Sequence, residues 1–523
     1  VLGYIAWQLR HPAIGFDGLV YHLGLAGAWA QGQQPGGLVP VLEGVPVANY
    51  PVTNEVLLAW ALALSRSWVA ASVWTPLTLV VLVGGGWLGL RELRVPRAVA
   101  GAALAAFCTQ PLVLTELGGP ATDVPATAWL AAACGLCAAS RRRPELLAVA
   151  LVAAALSFGT KTTSALLLLV AFGLAAWSAR ARLRALAVPL AAALVAGAVV
   201  GGLWATRNLL LHGSPLWPFV ATSWGDPVPP ALARLDQRFL DHPGAMLSGR
   251  LTDYGAALAG GVVLLAGGLL APALARTRTV GLSWILVVVA VLVWSAAPFT
   301  GVSSSTELAV AATRYLLPAL AAATVAIALG ARDAGRAGRA VALGALCVAA
   351  ALSVVRAGQV GLPLVPPATT LAAATLLGAL GGLAARLPSR DLPRHVAPMA
   401  AVGATALAAL ALTLAAHGYL ARHAAAGLFD AGLIRAAEAA PGWRDDRLEI
   451  AMGPQTNALL RGEELQHRVV LLPAGLPCPA LRARVRRGWV VLERGYDAAP
   501  GVSRCLGGVA PRYRDATLAL YGA

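Results

Sequence analysis

The sequence predicts a polytopic α-helical membrane protein of about thirteen transmembrane helices with a small extracytoplasmic α/β domain at its C-terminal end. Three observations predict it. Of the 523 residues, 58% are hydrophobic and only 12% charged, with a mean hydropathy of +0.71, whereas soluble domains carry roughly 25% charge. Apolar runs of the roughly 20 residues needed to cross a hydrocarbon core of about 30 Å recur from the first residue to about Ala416. They are rich in Ala, Leu, Val and Gly without alternating polarity, so they read as helices rather than barrel strands. Finally, Arg clusters occupy every second connection between the runs. A water-soluble fold is excluded.

Taken in order, the expected spans are 1–9, 56–90, 98–116, 124–139, 146–158, 163–178, 186–206, 256–275, 280–297, 309–330, 340–355, 363–385 and 397–416. Val1 already lies inside an apolar segment, which reads as a first helix lacking its N-terminal part. The 56–90 run is too long for one straight helix, and Ser65-Arg66-Ser67 is the expected break. Arg91/Arg94/Arg97, Arg141–Arg143, Arg180/Arg182/Arg184, Arg276/Arg278, Arg332/Arg336/Arg339 and Arg386/Arg390/Arg394 fill alternate connections. The positive-inside rule makes these cytoplasmic. The connections 10–55, 117–123, 159–162, 207–255 and 298–308, and the tail after about His417, then face the other side.

Two of these outer loops carry apolar character of their own. Residues 18–31 place Leu19, His22, Leu23, Leu25, Ala26 and Trp29 at helical spacing, as in an amphipathic helix lying on the membrane surface. The 207–255 loop, with Trp217, Phe219 and Trp224, is suited to roofing a cavity. Residues 1–424 are thus read as the membrane domain. From 425 to 523 charge rises and strand-like runs appear at Leu448–Met452, Val469–Leu472 and Trp489–Leu492, which reads as a separate α/β domain.

A net charge of +16 does not indicate nucleic acid, because the Arg residues lie in short clusters between apolar runs. Cys134 and Cys137 form a CxxC, but at i, i+3 on a membrane helix they read as packing residues. Cys478 and Cys505 lie in the polar C-terminal region and are either a disulfide or two thiols.

Ionisable side chains beside membrane spans are costly and mark functional sites. On the outer side these are Asp17, His22, Glu55, Glu116, Asp123, Lys161, Arg207, Glu307 and Arg314. They come from many spans but share one depth, and both signs gather there. Lys161, the only lysine of the chain, lies in GTKTTS between two apolar runs. It is read as a compact charge for a phosphate, against the alternative of a snorkelling interfacial lysine. Asp17, between Gly15-Phe16 and Gly18, is either a site carboxylate or a helix N-cap.

The strings GFDGLVYHLGLAGAWAQ, NYPVTNEVLLAW, QPLVLTELGGPATDVPATAWLAA, LSFGTKTTSALLLL, RNLLLHGSPLWPF and TRYLLPALA follow one another along the chain. In order and spacing they resemble bacterial members of the GT-C superfamily of integral-membrane glycosyltransferases, a class that includes protein O-mannosyltransferases and lipid A aminoarabinose transferases. The resemblance covers roughly residues 1–330. It implies a GT-C-like fold, with the family's first-loop acid at Asp17 and its second acid at Asp123, where Thr122 stands in place of a common Asn. An RN-x-G-x-P-like element maps onto Arg207, Asn208, Gly213 and Pro215, with Ser214 where Asn is common, and the RYLLP element onto Arg314 and Tyr315.

The function this implies is transfer of a sugar, with inversion, from a polyprenyl-phosphate donor to an extracytoplasmic lipid, glycan or protein acceptor. Asp17 is the expected general base and Asp123, the other expected catalytic residue, a second carboxylate that positions substrate. Lys161, Arg207 and Arg314 are the expected phosphate partners, and Tyr21, His22, Glu55, Glu116, Asn208 and Tyr315 the expected substrate contacts. No cofactor is required, no metal ligands are assigned, and a divalent cation between the two aspartates is compatible with the reading. There is no P-loop and no dinucleotide fingerprint, which suits a donor already anchored in lipid. The expected location is the bacterial inner membrane, with the site and the C-terminal domain outside the cytoplasm. A transporter or flippase of lipid-linked glycan, and a catalytically inactive scaffold with a glycan- or protein-binding C-terminal domain, are the competing readings.

Overall fold

The computed structural model describes residues 17–42, 44–233, 238–241, 243–244, 251–297, 313–359, 431–440, 443, 449–452, 459–462, 464–472, 476–493, 500–514 and 518–522. The expected spans 1–9, 363–385 and 397–416, the Arg386/Arg390/Arg394 cluster and Glu307 lie outside the described residues.

A turn at Gly18–His22 leads into α1 (Leu23–Gly32), followed after a loop by α2 (Thr53–Ser65) and α3 (Val69–Glu92). The break between α2 and α3 falls at the expected Ser65-Arg66-Ser67, where Arg66 takes a left-handed φ of 49°. Next come α4 (Arg97–Cys108), α5 (Asp123–Ala139), α6 (Leu146–Thr160), α7 (Ala165–Ala179), α8 (Ala187–Val200) and α9 (Leu203–His212). The remaining membrane helices are α10 (Gly260–Leu274), α11 (Arg278–Ala296), α12 (Leu317–Asp333) and α13 (Arg336–Gln359).

Each of the ten expected spans that falls on described residues is occupied by helix, but not always by one straight crossing. Five helices are long and apolar enough to cross a bilayer, or up to seven if each of two bent pairs is one crossing. Of the about thirteen expected transmembrane helices, ten fall on described residues, and five to seven of those regions form crossings of full length. Two breaks account for part of the difference. The chain bends by 64° after α4, where Gln110 is forced out of helical geometry by Pro111, and by 64° between α8 and α9 at Gly201-Gly202. In addition, α5, α6 and α10 are apolar but only 17, 15 and 15 residues long.

The bundle is held by close helix crossings. The α3–α5 crossing is made at Gly85 and Gly135, and a β-carbon at Gly85 would lie 2.5 Å from the Ala132 nitrogen. Small residues let backbones approach in a lipid solvent that supplies no hydrophobic force between helices. A second core joins α4, α10 and α12 through Ala103, Ala106, Leu264, Ala271, Leu320, Ala323 and Ile327.

After α14 (Ala431–Ala439) the chain forms a five-stranded sheet of β1 (Glu449–Met452), β2 (Arg468–Leu471), β3 (Trp489–Glu493), β4 (Tyr513–Arg514) and β5 (Leu518–Tyr521). The strand order is β2-β1-β3-β5-β4. β1 lies parallel to β2 and β3, and β5 antiparallel to β3 and β4. The strand periodicity of two divides the side chains between two cores. Val490, Leu492, Ala519 and Tyr521 meet α15 (Cys478–Arg487) and α16 (Pro500–Leu506), which the Cys478–Cys505 disulfide joins. Trp489, Val491, Leu518 and Leu520 pack instead into one core with α1, α2 and the 39–52 loop.

This shared core changes the expectation for residues 18–31. Leu23, Gly24, Leu25, Ala26, Gly27 and Trp29 are all buried, so α1 is enclosed rather than lying on the membrane with one apolar stripe. The cause is the sheet and the 459–467 segment, which cover the side that the sequence leaves for lipid or water.

Candidate active site

The ends of several helices on one side of the bundle, with two loops, enclose a mostly apolar cavity of about 1020 Å³. Asp17 opens the first turn before α1, with helical backbone angles and no side-chain capping bond. Its carboxylate is turned to Arg314, whose Nη1 donates to Asp17 Oδ2 at 2.6 Å. The capping alternative thus loses its hydrogen bond, and the carboxylate faces the cavity.

Asp123 opens α5 and is buried. Lys161 Nζ donates to its Oδ1, and Arg314 Nε stands 3.8 Å from its Oδ2. Lys161 is placed by a break in helical structure: its extended φ of −160° separates α6 from the turn Thr162–Ser164. Ser157 Oγ donates to the Ala126 carbonyl at 2.8 Å and meets Ser164 Oγ at 2.8 Å, which ties both sides of that break to α5. Arg314 sits in a tight turn ahead of α12. Tyr315 lies between the cations, with Lys161 Nζ 3.8 Å and the Arg314 guanidinium 5.3 Å from its ring centroid. Glu116 accepts from the Val124 nitrogen at 2.9 Å through Oε2, while its buried Oε1 has no hydrogen-bond partner among the described residues.

Two aspartates therefore share two cations at the cavity wall, joined by residues up to 297 positions apart in sequence. Burial alone would raise the Asp17 carboxyl, but the charges of Arg314, His22 and Lys161 outweigh it and hold the group below its ordinary value. Burial pushes the Tyr21 hydroxyl well above its usual range, so it remains a neutral hydrogen-bonding group.

His22 and Glu55 form a second, separate pair on the cavity wall through Nδ1 and Oε1, both almost fully buried. Glu55 Oε2 has no hydrogen-bond partner among the described residues. Tyr21, Tyr50 and Phe219 continue this wall, with Tyr50 and Phe219 centroids 4.7 Å apart. Of the loop expected at 207–255, residues 207–212 belong to α9, and Leu216, Phe219, Val220 and Leu232 line the cavity.

Of the expected site residues, Asp17, Tyr21, His22, Glu55, Glu116, Asp123, Lys161, Arg314 and Tyr315 line this one cavity. Arg207 and Asn208 do not. Arg207 donates to the carbonyls of Gly36 and Ala48. Asn208, fully buried, donates to the Asn49 carbonyl at 2.7 Å and to that of Trp217 at 2.5 Å. Both tie α9 to the loops at Gly36, Ala48, Asn49 and Trp217, one turn beyond Trp204, which does reach the cavity. Sequence reasoning missed Arg356, which lines the cavity from the end of α13. Its signal was present: an isolated Arg closing a span whose other end carries the Arg332/Arg336/Arg339 cluster. Among the described residues no three His, Cys, Asp or Glu side chains converge as metal ligands.

No family model matches the chain, and no curated protein matches it. Two solved structures share its fold. The crystal structure of ArnT from Cupriavidus metallidurans in the apo state is 15% identical, with a TM-score of 0.53 over 99% of this chain and 96% of that one. The same protein bound to undecaprenyl phosphate is 14% identical, with a TM-score of 0.50 over the same shares. The GT-C resemblance read from the sequence is thus shown at the level of the fold, over nearly the whole chain, and the molecule is an integral membrane protein.

Proposed function

We propose that the chain is a GT-C glycosyltransferase of the bacterial inner membrane, taking a sugar from a polyprenyl-phosphate donor and passing it with inversion to an extracytoplasmic acceptor. The observation that carries this reading is the paired arrangement of Asp17 and Asp123 with Arg314 and Lys161 on the wall of a cavity that is otherwise mainly apolar. An apolar cavity accepts prenyl carbons, while two cations at one place match a phosphate. The fold shared with a protein seen with undecaprenyl phosphate supports the same donor class.

With no donor bound, the cations are held by the aspartates. A donor phosphate competes for Lys161 and Arg314, and each cation that turns to it releases carboxylate charge. Asp17, relieved of Arg314, becomes a stronger base. In the transfer step the acceptor oxygen attacks the anomeric carbon as the bond from that carbon to the phosphate oxygen breaks. The acceptor proton passes to Asp17, and the electron pair of the broken bond stays on the phosphate, where Lys161 and Arg314 stabilise it. Asp123 keeps Lys161 and Arg314 in register. The wall of Tyr21, His22, Glu55, Glu116 and Tyr315 offers hydrogen-bonding groups to sugar and acceptor. Lipid, glycan and protein acceptors all remain within this reading. It requires no cofactor: a divalent cation at the aspartates would compete with Lys161 and Arg314, and transfer measured with and without EDTA decides its role.

The test uses the purified full chain in lipid nanodiscs with a panel of polyprenyl-phosphate sugars. Release of polyprenyl phosphate together with a glycosylated acceptor is expected, and Lys161→Met should weaken donor use by about 10- to 100-fold, the equivalent of one charged hydrogen bond. Translocation of lipid-linked sugar without cleavage would replace this reading by a transporter. Donor use unchanged by Lys161→Met would remove the phosphate assignment.

A further inference from the structure

Arg461 is a charged side chain in the interior of the molecule, far from the chemistry. It is 2% exposed, and its Nε has no hydrogen-bond partner among the described residues. Burying a guanidinium with an unsatisfied donor is costly, so its contacts should explain why it is there. Arg461 Nη1 donates to Gln31 Oε1 near the end of α1. Gln31 Nε2 in turn donates to the carbonyls of Leu465 at 2.7 Å and His467 at 2.6 Å. Trp68 Nε1, at the start of α3, donates to the Gly462 carbonyl at 3.0 Å. The Arg461 side chain also lies across α1 at Gly27, where a β-carbon would come within 2.9 Å of its Cδ. Burial lowers the guanidinium to about 9, which leaves it charged at neutral pH.

These contacts grip one end of a helix whose other end enters the cavity. α1 continues without interruption from the turn that carries Asp17, Tyr21 and His22. Asp17 and Gln31 are separated by roughly 20 Å of helical rise. The helix is stiff, so fixing Gln31 fixes how deep Asp17 sits against Arg314. We infer that the Arg461–Gln31 latch makes the C-terminal domain a positioning part of the active site, with Arg461 and Gln31 holding α1 in the register that brings Asp17 to the donor. This rests on the function proposed above only for its kinetic consequence. The mechanical coupling stands by itself.

The experiment compares the full chain with Arg461→Met, Gln31→Leu, Arg461→Lys and the Arg461→Met/Gln31→Leu pair in nanodiscs. It reads hydrogen exchange of the Asp17–His22 amides, affinity for undecaprenyl phosphate, and transfer from the active donor. Each of the first two variants should raise exchange at Asp17–His22 by about tenfold and lower kcat by about tenfold, the scale of one charged hydrogen bond. KM and undecaprenyl phosphate affinity should stay within about twofold, because the phosphate cations are untouched; Arg461→Lys should restore part of kcat. The pair should be no worse than the poorer single variant, as expected for one network. Should Arg461→Met unfold the sheet, exchange in β1–β5 will show it, and Gln31→Leu removes the same bonds from the helix side. Unchanged exchange at Asp17–His22 in Gln31→Leu overturns the latch. Raised exchange with an unchanged kcat overturns the positioning role. A parental chain that transfers no sugar overturns the proposed function instead, and exchange alone then decides the latch.

Discussion

At the residue scale the molecule turns on Asp17, whose carboxylate is held by Arg314 at 2.6 Å. Asn keeps the size of Asp and an oxygen that can accept from Arg314 but is a poor base, so Asp17→Asn should fold, bind undecaprenyl phosphate, and lose transfer by about 100-fold or more. Transfer near the parental rate would move the base to Asp123 or Glu116. The ion pair also sets a pH dependence of stability. Arg314 and its neighbours hold the folded carboxyl below its ordinary value, so folding favours the ionised form. The stabilisation is fully present above the unfolded value of about 3.9 and is lost as pH falls through the still lower folded one. The difference in thermal midpoint between parent and Asp17→Asn should thus be constant from about pH 8 to 5 and shrink only below about pH 4; a difference that already closes near pH 6 would contradict the assignment. Asp17, Asp123, Lys161 and Arg314 were legible in the sequence because a charge in an apolar chain is conspicuous. Arg207 is equally conspicuous, yet its guanidinium is spent on the carbonyls of Gly36 and Ala48. Sequence marks both kinds of interfacial Arg alike, since the backbone acceptors that claim one of them lie 171 and 159 residues away.

At the element scale the same chain shows where apolar periodicity stops being informative. The breaks at Arg66 and before Pro111 carry local chemistry, a left-handed residue and a pre-proline residue, and so were open to reading from sequence. Only the first was read. The enclosure of α1 was not legible, because its cover is supplied by residues 459–467 and the sheet, more than 400 positions downstream. Helix crossings were equally hidden: nothing in WLAAACGLCAA says that Gly135 faces Gly85. That contact makes a prediction. A side chain at Gly135 would run into the Gly85 backbone, so Gly135→Val should destabilise the bundle by about 1–3 kcal/mol, the usual range for overpacking. Gly101 on α4 has open space around its Cα, and Gly101→Ala should be neutral or gain up to about 1 kcal/mol from helix propensity. Thermal unfolding in one detergent compares the two. Equal midpoints for both variants would mean that the α3–α5 crossing is looser than described.

At the scale of the whole molecule, the helical class and the C-terminal strands at 449–452, 468–471 and 489–493 follow from composition and short apolar runs, whereas the two-residue β4 is too short to signal itself and β5, as long as β1 and β2, carries an apolar run that the expectation left unassigned. What binds the two regions into one machine is sidedness. The sheet shares a core with α1 and with described loop residues between 39 and 52, and α1 leads into the cavity, so the sheet and this part of the first loop are expected on one side of the membrane. The positive-inside rule predicts that the Arg clusters, including Arg141–Arg143 between α5 and α6, lie on the opposite, cytoplasmic side. Three single-cysteine variants can decide this in a background where Cys108, Cys134, Cys137 and Cys347 are replaced and the Cys478–Cys505 disulfide is kept. Leu38→Cys in the first loop, 51% exposed, and Val509→Cys in the C-terminal domain, 37% exposed, report the outer side. Arg142→Cys, at a side chain 67% exposed, reports the cytoplasm. A membrane-impermeant maleimide added to intact spheroplasts should label the first two and spare the third, and permeabilisation should expose all three. Labelling of Arg142→Cys alone from outside would invert the molecule and place the aspartates in the cytoplasm, where the proposed acceptor is absent. Labelling of Leu38→Cys without Val509→Cys would contradict the shared core and, with it, the latch between Arg461 and Gln31.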